Sequence, residues 1–268
     1  MTFDPETLRT ELETGLLCFP VTHARKDFAF DEEPYREHVA WQSSFPVAGV
    51  FAAGGIGEFP ALTPAEVKRV VRAAVAASAR PVVAPAGYGT AQAVAMARDA
   101  ESAGAAGVFL LPPYLTSLPT EGLVAHVRAV CAATGLGVVV YHRASGGARV
   151  DAVRRLAEEC PNLHPLPYPG TGVPTCSSAI VNFAPRFALE LHTAVHTRDT
   201  AAVYRMLDEF VLPYLGIRDR RAGYAVPVVK AALSVVGRPA GPVRPPLTDL
   251  TATEAGELKA LLEKVDAV

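Results

Sequence analysis

An α/β fold, a barrel of parallel strands at least one repeat short of closure and followed by C-terminal helices, is what this sequence predicts, on three observations. Short apolar runs rich in β-formers alternate with alanine-rich segments of helical period. The first five runs start 33, 32, 26 and 30 residues apart. That is the length of one strand plus one helix, which requires parallel strands joined by right-handed crossovers. The rhythm then breaks, because the sixth and seventh runs start only 11 residues apart.

The strands read in order as LLCFPVT from Leu16, GVFAAG from Gly49, PVVAPAG from Pro81, GVFLLPP from Gly107 and GVVVYH from Gly137. Each is a short, nearly continuous apolar run, as expected of strands covered on both faces. Between them, Thr63 to Ala79 with Pro64 in its first turn, Gln92 to Ala103 and Thr120 to Ala133 read as crossover helices. LHPLPYP from Leu163 follows, then PTCSSAI from Pro174. The intervening PGTGV is too short for a crossover. Three prolines in Leu163 to Pro169 demote that run to an edge strand or loop. Pro185 to Thr197, Asp199 to Tyr214, Tyr224 to Val236 and Thr251 to Val265 read as helices, with GRPAGPVRPPL as an extended connector. The division expected is a β/α barrel over 1–198, truncated after residue 162, and a C-terminal helical extension over 199–268 within the same unit.

The chain has 268 residues, half of them hydrophobic and 19% charged, with a formal charge of -2 and no basic run. One large core fits this length, and nucleic acid has no electrostatic footprint. The four cysteines are widely spaced without a CxxC pair, which fits a reducing cytoplasm. Neither a leader-like N-terminus nor an eighteen-residue apolar stretch is present, so no membrane partner is expected. Small molecules are the expected partners. No HExxH, DxD, Walker or GxSxG pattern occurs, and neither a metal nor a cofactor is expected.

In a β/α barrel, residues just after each strand form the active site. After the second run, Gly54, Gly55 and Gly57 in GGIGEF offer bare backbone amides ahead of a helix, a cradle for a carboxylate or phosphate, or simply a tight turn. After the fifth, Tyr141 supplies a phenol that can move a proton, His142 an imidazole to assist, and Arg143 a guanidinium for an anion. The rival reading of Tyr141 is a core tyrosine with a bonded hydroxyl. Tyr114 follows two prolines after the fourth run and reads equally as pocket wall or packing. Ser177, Ser178 and Asn182 near the last run offer hydroxyls and an amide to a substrate, or helix caps. Thr22 after the first run reads as an inward hydroxyl or a turn residue.

GLLCFPVT, FAAGGIGEFPALTP, PAGYGT, GVFLLPPYLT, VVVYHR, SSAIVNF, LPYLGIRDRRAGYAVPVVKAAL and GPVRPPL together resemble the dihydrodipicolinate synthase/N-acetylneuraminate lyase superfamily. Within it they are most similar to the 5-dehydro-4-deoxyglucarate dehydratases. The resemblance covers nearly the whole chain except the region after Asn162. It implies a TIM (β/α)8-type barrel with C-terminal helices, here with the strand 7 region deleted. It also implies a lysine on the sixth strand that forms an imine with a 2-oxo acid, Tyr141 as proton shuttle, and Gly54 to Gly57 for the substrate carboxylate. The sequence departs from that pattern in three places. Ile56 stands where the family has a threonine, His142 where it has an asparagine, and Pro167 near the expected lysine. Arg143 matches the dehydratase branch. The five lysines, Lys26, Lys68, Lys230, Lys259 and Lys264, fall in a loop and on helices.

An imine is the electron sink that lets such enzymes deprotonate beside a carbonyl. A placed acid or base contributes about 10²- to 10⁴-fold and an oxyanion donor about 10²- to 10³-fold, against a lower limit near ~10⁶ for enzymes. The leading expectation is therefore imine-independent elimination, isomerisation or cyclisation of an activated small carboxylated compound, a 2-oxo acid among the candidates. The alternatives are a non-catalytic protein that binds a ligand or partner, and a dehydratase with a relocated lysine. Open strand edges around Val138 to His142 or Pro174 to Ile180 would invite pairing, so a homo-oligomer, dimer or tetramer, is expected.

Overall fold

The computed structural model describes residues 3–114, 119–141, 150–164 and 175–265. Seven parallel strands form one sheet: β1 (Leu16–Cys18), β2 (Gly49–Phe51), β3 (Val82–Ala86), β4 (Gly107–Leu110), β5 (Gly137–Val140), β6 (Leu163–His164) and β7 (Cys176–Ser177). Their order is β6-β5-β4-β3-β2-β1-β7. The chain thus adds each strand beside the last from β1 to β6 and then returns to pair β7 with the free side of β1. The crossovers are α2 (Glu32–Ser43), α3 (Pro64–Ala77), α4 (Thr90–Ser102), α5 (Thr120–Cys131) and α6 (Val150–Glu159), preceded by α1 (Pro5–Leu12). After β7 come α7 (Pro185–His196), α8 (Thr200–Met206), a π-helical turn (Leu207–Val211), α9 (Leu212–Arg218), α10 (Ala225–Val235) and α11 (Ala252–Leu262). The result is a curled, incomplete β/α barrel with C-terminal helices.

Strand alternation sorts the apolar residues. Val50, Val82, Ala84, Val108 and Val138 pack outward under α2 to α6. Leu17, Phe51, Val83, Phe109 and Val139 fill the interior. Within β1, Leu16 and Cys18 instead join the C-terminal helices. Helix α3 shows how local sequence sets this up. Thr63 and Glu66 form a reciprocal cap, Pro64 opens the first turn, and Val67, Val70, Val71 and Ala74 recur at helical spacing to bury one face. From below, α1 inserts Leu8 and Leu12, both fully buried. A Cβ on Gly107 would lie 2.4 Å from Leu8 Cδ2, and one on Gly49 would lie 2.6 Å from Leu12 Cδ2, so glycine is needed where the plug enters.

The edge expected around Val138 to His142 needs correction, while those at the run from Leu163 and at Pro174 to Ile180 hold. β5 is not an edge, since it pairs with β4 and β6; the ends of the sheet are β6 and β7. The run from Leu163 forms β6 in its first two residues, and its proline-rich remainder lies outside the described residues. The last strand stops at Ser177, and Ala179–Asn182 is a 3-10 turn. Its reason is local: the Ser178 hydroxyl accepts from Ile180 N at 3.2 Å and bends the chain out of the sheet.

Candidate active site

A cavity of about 650 Å³ opens where the carboxyl ends of the strands meet the start of α10. Its floor is aromatic. Phe19 stacks on Phe51 at 4.7 Å between centroids, and Phe109 meets Phe51 edge-on at 5.2 Å. Tyr141 leans on Phe109 at 5.2 Å. Its backbone N–H donates to Leu110 O at 2.9 Å, which holds the residue in line with β5 while the side chain remains 40% exposed. The phenol therefore stands at a strand end, in a wall of the cavity, and is not a sealed core tyrosine. One side is formed by Tyr88, stacked on Phe59 at 5.1 Å, and by Tyr114, edge-on to Tyr88 at 6.3 Å. Ser177 and Ser178 face the cavity from β7, and Ala225 and Val226 from α10.

The glycine-rich loop divides its labour. Gly55 has open space around its missing side chain, and with Ile56 it lines the cavity. Gly57 is required by packing, because a Cβ there would lie 2.8 Å from Ala53 Cα, and one on Gly54 would press the Phe19 ring at 3.0 Å. Ala53 and Glu58 flank them with positive φ, 48° and 60°. Such backbone at non-glycine residues is strained by on the order of 1 kcal/mol each and persists only where the surroundings enforce it.

Two expected substrate-binding residues have other partners. Thr22 is buried, and its hydroxyl donates to Gly57 O at 2.7 Å, so it braces the loop without lining the cavity. Asn182 is fully buried. Its amide nitrogen donates to Phe19 O and Ala179 O at 2.9 and 3.1 Å, and its oxygen accepts from Val21 N at 3.0 Å. It ties the exit of β1 to the turn after β7. Ser178 both faces the cavity and caps that turn. His142, Arg143 and Pro167 lie outside the described residues.

None of the five lysines lines the cavity. Lys68 on α3 pairs with Asp99 of α4, and Lys259 is on α11. Lys230, on the apolar α10, is 2% exposed and lies 2.7 Å from Glu58. Burial pulls its ammonium below the usual lysine range, against the opposing pull of Glu58. Sequence reasoning also missed Phe19, Phe59 and Tyr88; Phe19 directly follows β1 and Tyr88 lies two residues beyond β3, the position that marked the other candidates. Among the described residues no three metal-binding side chains converge, and no helix is long and apolar enough to cross a membrane.

An incomplete parallel β/α barrel with a tyrosine-bearing cavity at its strand ends defines the class, and the comparisons define the family. Residues 12–166 match the dihydrodipicolinate synthetase family, and the chain belongs to it. A protein of Saccharopolyspora erythraea named "Probable 5-dehydro-4-deoxyglucarate dehydratase" is 52% identical, covering 99% of this chain and 98% of its own length. A protein of the same name from Rhodococcus opacus is 49% identical, with 99% of each covered. The first alignment spans 302 positions against 268 residues here, so that relative carries a stretch with no counterpart in this chain. The family match ends two residues after β6, where the sequence rhythm breaks. The crystal structure of dihydrodipicolinate synthase from Bacillus clausii superposes with a TM-score of 0.82 at 23% identity, covering 96% of this chain and 99% of that one, and shares its fold.

Proposed function

We propose that this chain takes a small carboxylated sugar acid of the 5-dehydro-4-deoxyglucarate type into the cavity and eliminates water from it, with Tyr141 moving the proton and without a lysine imine. The observation that carries this reading is the phenol of Tyr141 at the end of β5, in the same cavity as Gly55 and with no lysine in the lining. Gly55 brings bare backbone to the carboxylate, and Ser177 and Ser178 offer hydroxyls to the substrate's own.

The test is turnover of 5-dehydro-4-deoxyglucarate by the purified chain, followed by NMR. Tyr141→Phe is expected to lower kcat/KM by about 10²- to 10⁴-fold. Borohydride added during turnover is expected to leave every lysine unmodified by mass spectrometry. A reduced adduct on any lysine would overturn the imine-free mechanism, and full activity of Tyr141→Phe would overturn the role of the phenol. A second reading, a protein that binds a carboxylate without turning it over, is favoured by the hydrocarbon of Ile56 in the carboxylate loop. Saturable binding of the same compound with no product would decide for it.

A further inference from the structure

The glycine-rich loop is anchored by a buried pair of opposite charges that the chemistry above does not use. Glu58, the residue after the loop, holds φ at 60°, and its side chain turns away from the cavity. One carboxylate oxygen lies 2.7 Å from Lys230 Nζ, and the other accepts from Arg244 N at 2.7 Å. Lys230 makes a second bond, donating to Pro242 O at 2.8 Å. Both side chains of the pair are 2% exposed. Lys230 sits on α10, whose first turn brings Ala225 and Val226 to the cavity. One ion pair therefore sets the distance between two walls of the site, the loop and the helix.

We propose that Lys230 and Glu58 are positioning residues, which lock the Gly54–Gly57 loop against α10 so that Gly55 and Ile56 keep their place in the cavity wall. This role rests on the reading of the loop as the carboxylate site. A buried pair that served stability alone could be exchanged for an apolar pair of similar volume. Such an exchange would remove both bonds to the Glu58 carboxylate and free the strained backbone that they hold. Thr22 would still brace Gly57, but from the side of β1.

The test compares wild type, Lys230→Met and the double variant Glu58→Met with Lys230→Met, by hydrogen exchange of residues 53–60 and by steady-state kinetics with 5-dehydro-4-deoxyglucarate. The single change strands a buried carboxylate and is expected to destabilise the fold; the double change is expected to fold cooperatively. In the double variant, which removes two charge-assisted hydrogen bonds, the loop amides should exchange at least about tenfold faster, the factor of one such bond. KM should rise by a similar factor while kcat changes little. Should the double variant fail to fold, Glu58→Gln, which is isosteric, takes its place with the same readouts. Wild-type loop exchange and KM in a folded variant would overturn the proposal. Absence of turnover in wild type would instead count against the function proposed above, and the exchange measurement would still decide the role of the pair.

Discussion

His38 Nε2 lies 3.2 Å from Asn182 Oδ1, joining α2 to the turn that follows β7. The same oxygen accepts from Val21 N, so the imidazole must donate to it and carry its proton on Nε2. Asn182 thereby fills all of its hydrogen-bonding capacity at the seam between β1 and β7. Replacing Asn182 with Ala would leave three backbone groups and an imidazole without this partner. Chemical denaturation is expected to show a loss of about 3 kcal/mol, a few unsatisfied buried groups' worth. A loss below about 0.5 kcal/mol, the range of an ordinary surface change, would show that the network does not hold the seam.

Acid should loosen the same region. Burial lowers His38 from 6.5 to about 4. Burial, with His38 and Lys230 nearby, lowers His23 from 6.5 to about 3. Both histidines are neutral when folded, whereas in the unfolded chain they take up protons below pH 6.5. Stability therefore falls as pH drops from 6.5 toward 4 and 3, and above 6.5 these groups have no effect. For His38 the full loss is on the order of 3 kcal/mol. Denaturation curves from pH 8 to 4 should show the decline, and His38→Gln should flatten it below pH 6.5. An unchanged slope in that variant would assign the acid sensitivity elsewhere.

Gly57→Ala should damage the site without touching a cavity residue. The new methyl would meet backbone, Ala53 Cα at 2.8 Å, which cannot rotate away. The expected destabilisation is about 2 kcal/mol, typical of overpacking. Weaker binding of the carboxylated ligand should accompany it. Gly55→Ala, with open space around it, is expected to leave melting unchanged and to alter KM alone. Equal melting shifts in the two variants would contradict this division of the loop.

Short strands β6 and β7 leave backbone groups at the ends of the sheet, and such edges recruit partners. Sedimentation is expected to show a dimer or larger assembly, and a stable monomer at about micromolar concentration would refute it.

Much of this architecture was legible because burial on both faces of a parallel strand leaves an uninterrupted apolar run, and the crossover fixes its period. The spacing defect after Leu163 was legible for the same reason. The prolines after Leu163 and the run from Pro174 marked the two edges; what the pattern could not show was which strand the last one would join. That depends on how β7 returns to β1, a pairing across more than a hundred residues. The site was legible where a side chain follows a strand, as with Tyr141 and Ser177. Thr22 and Asn182 follow the same rule, yet their polar atoms turn to backbone, because buried carbonyls and amides at the β1 exit need partners. Lys230 stayed hidden because its counter-charge, Glu58, is distant in sequence. A lone lysine inside the apolar AVPVVKAAL was the one available signal.

A sheet that closes on itself is a hoop with no first or last member, whereas this one is a hoop that has been cut. Among the described residues, registers of four residue pairs join β3, β4 and β5 and two pairs join every other couple, and each outermost strand is held from one side alone. Ser177 and His164 thus belong to the parts of the ring that fray soonest, while Phe109 rides on its most persistent arc. Breathing of the protein should consequently widen the mouth of the cavity from its serine side, leaving the aromatic floor in place.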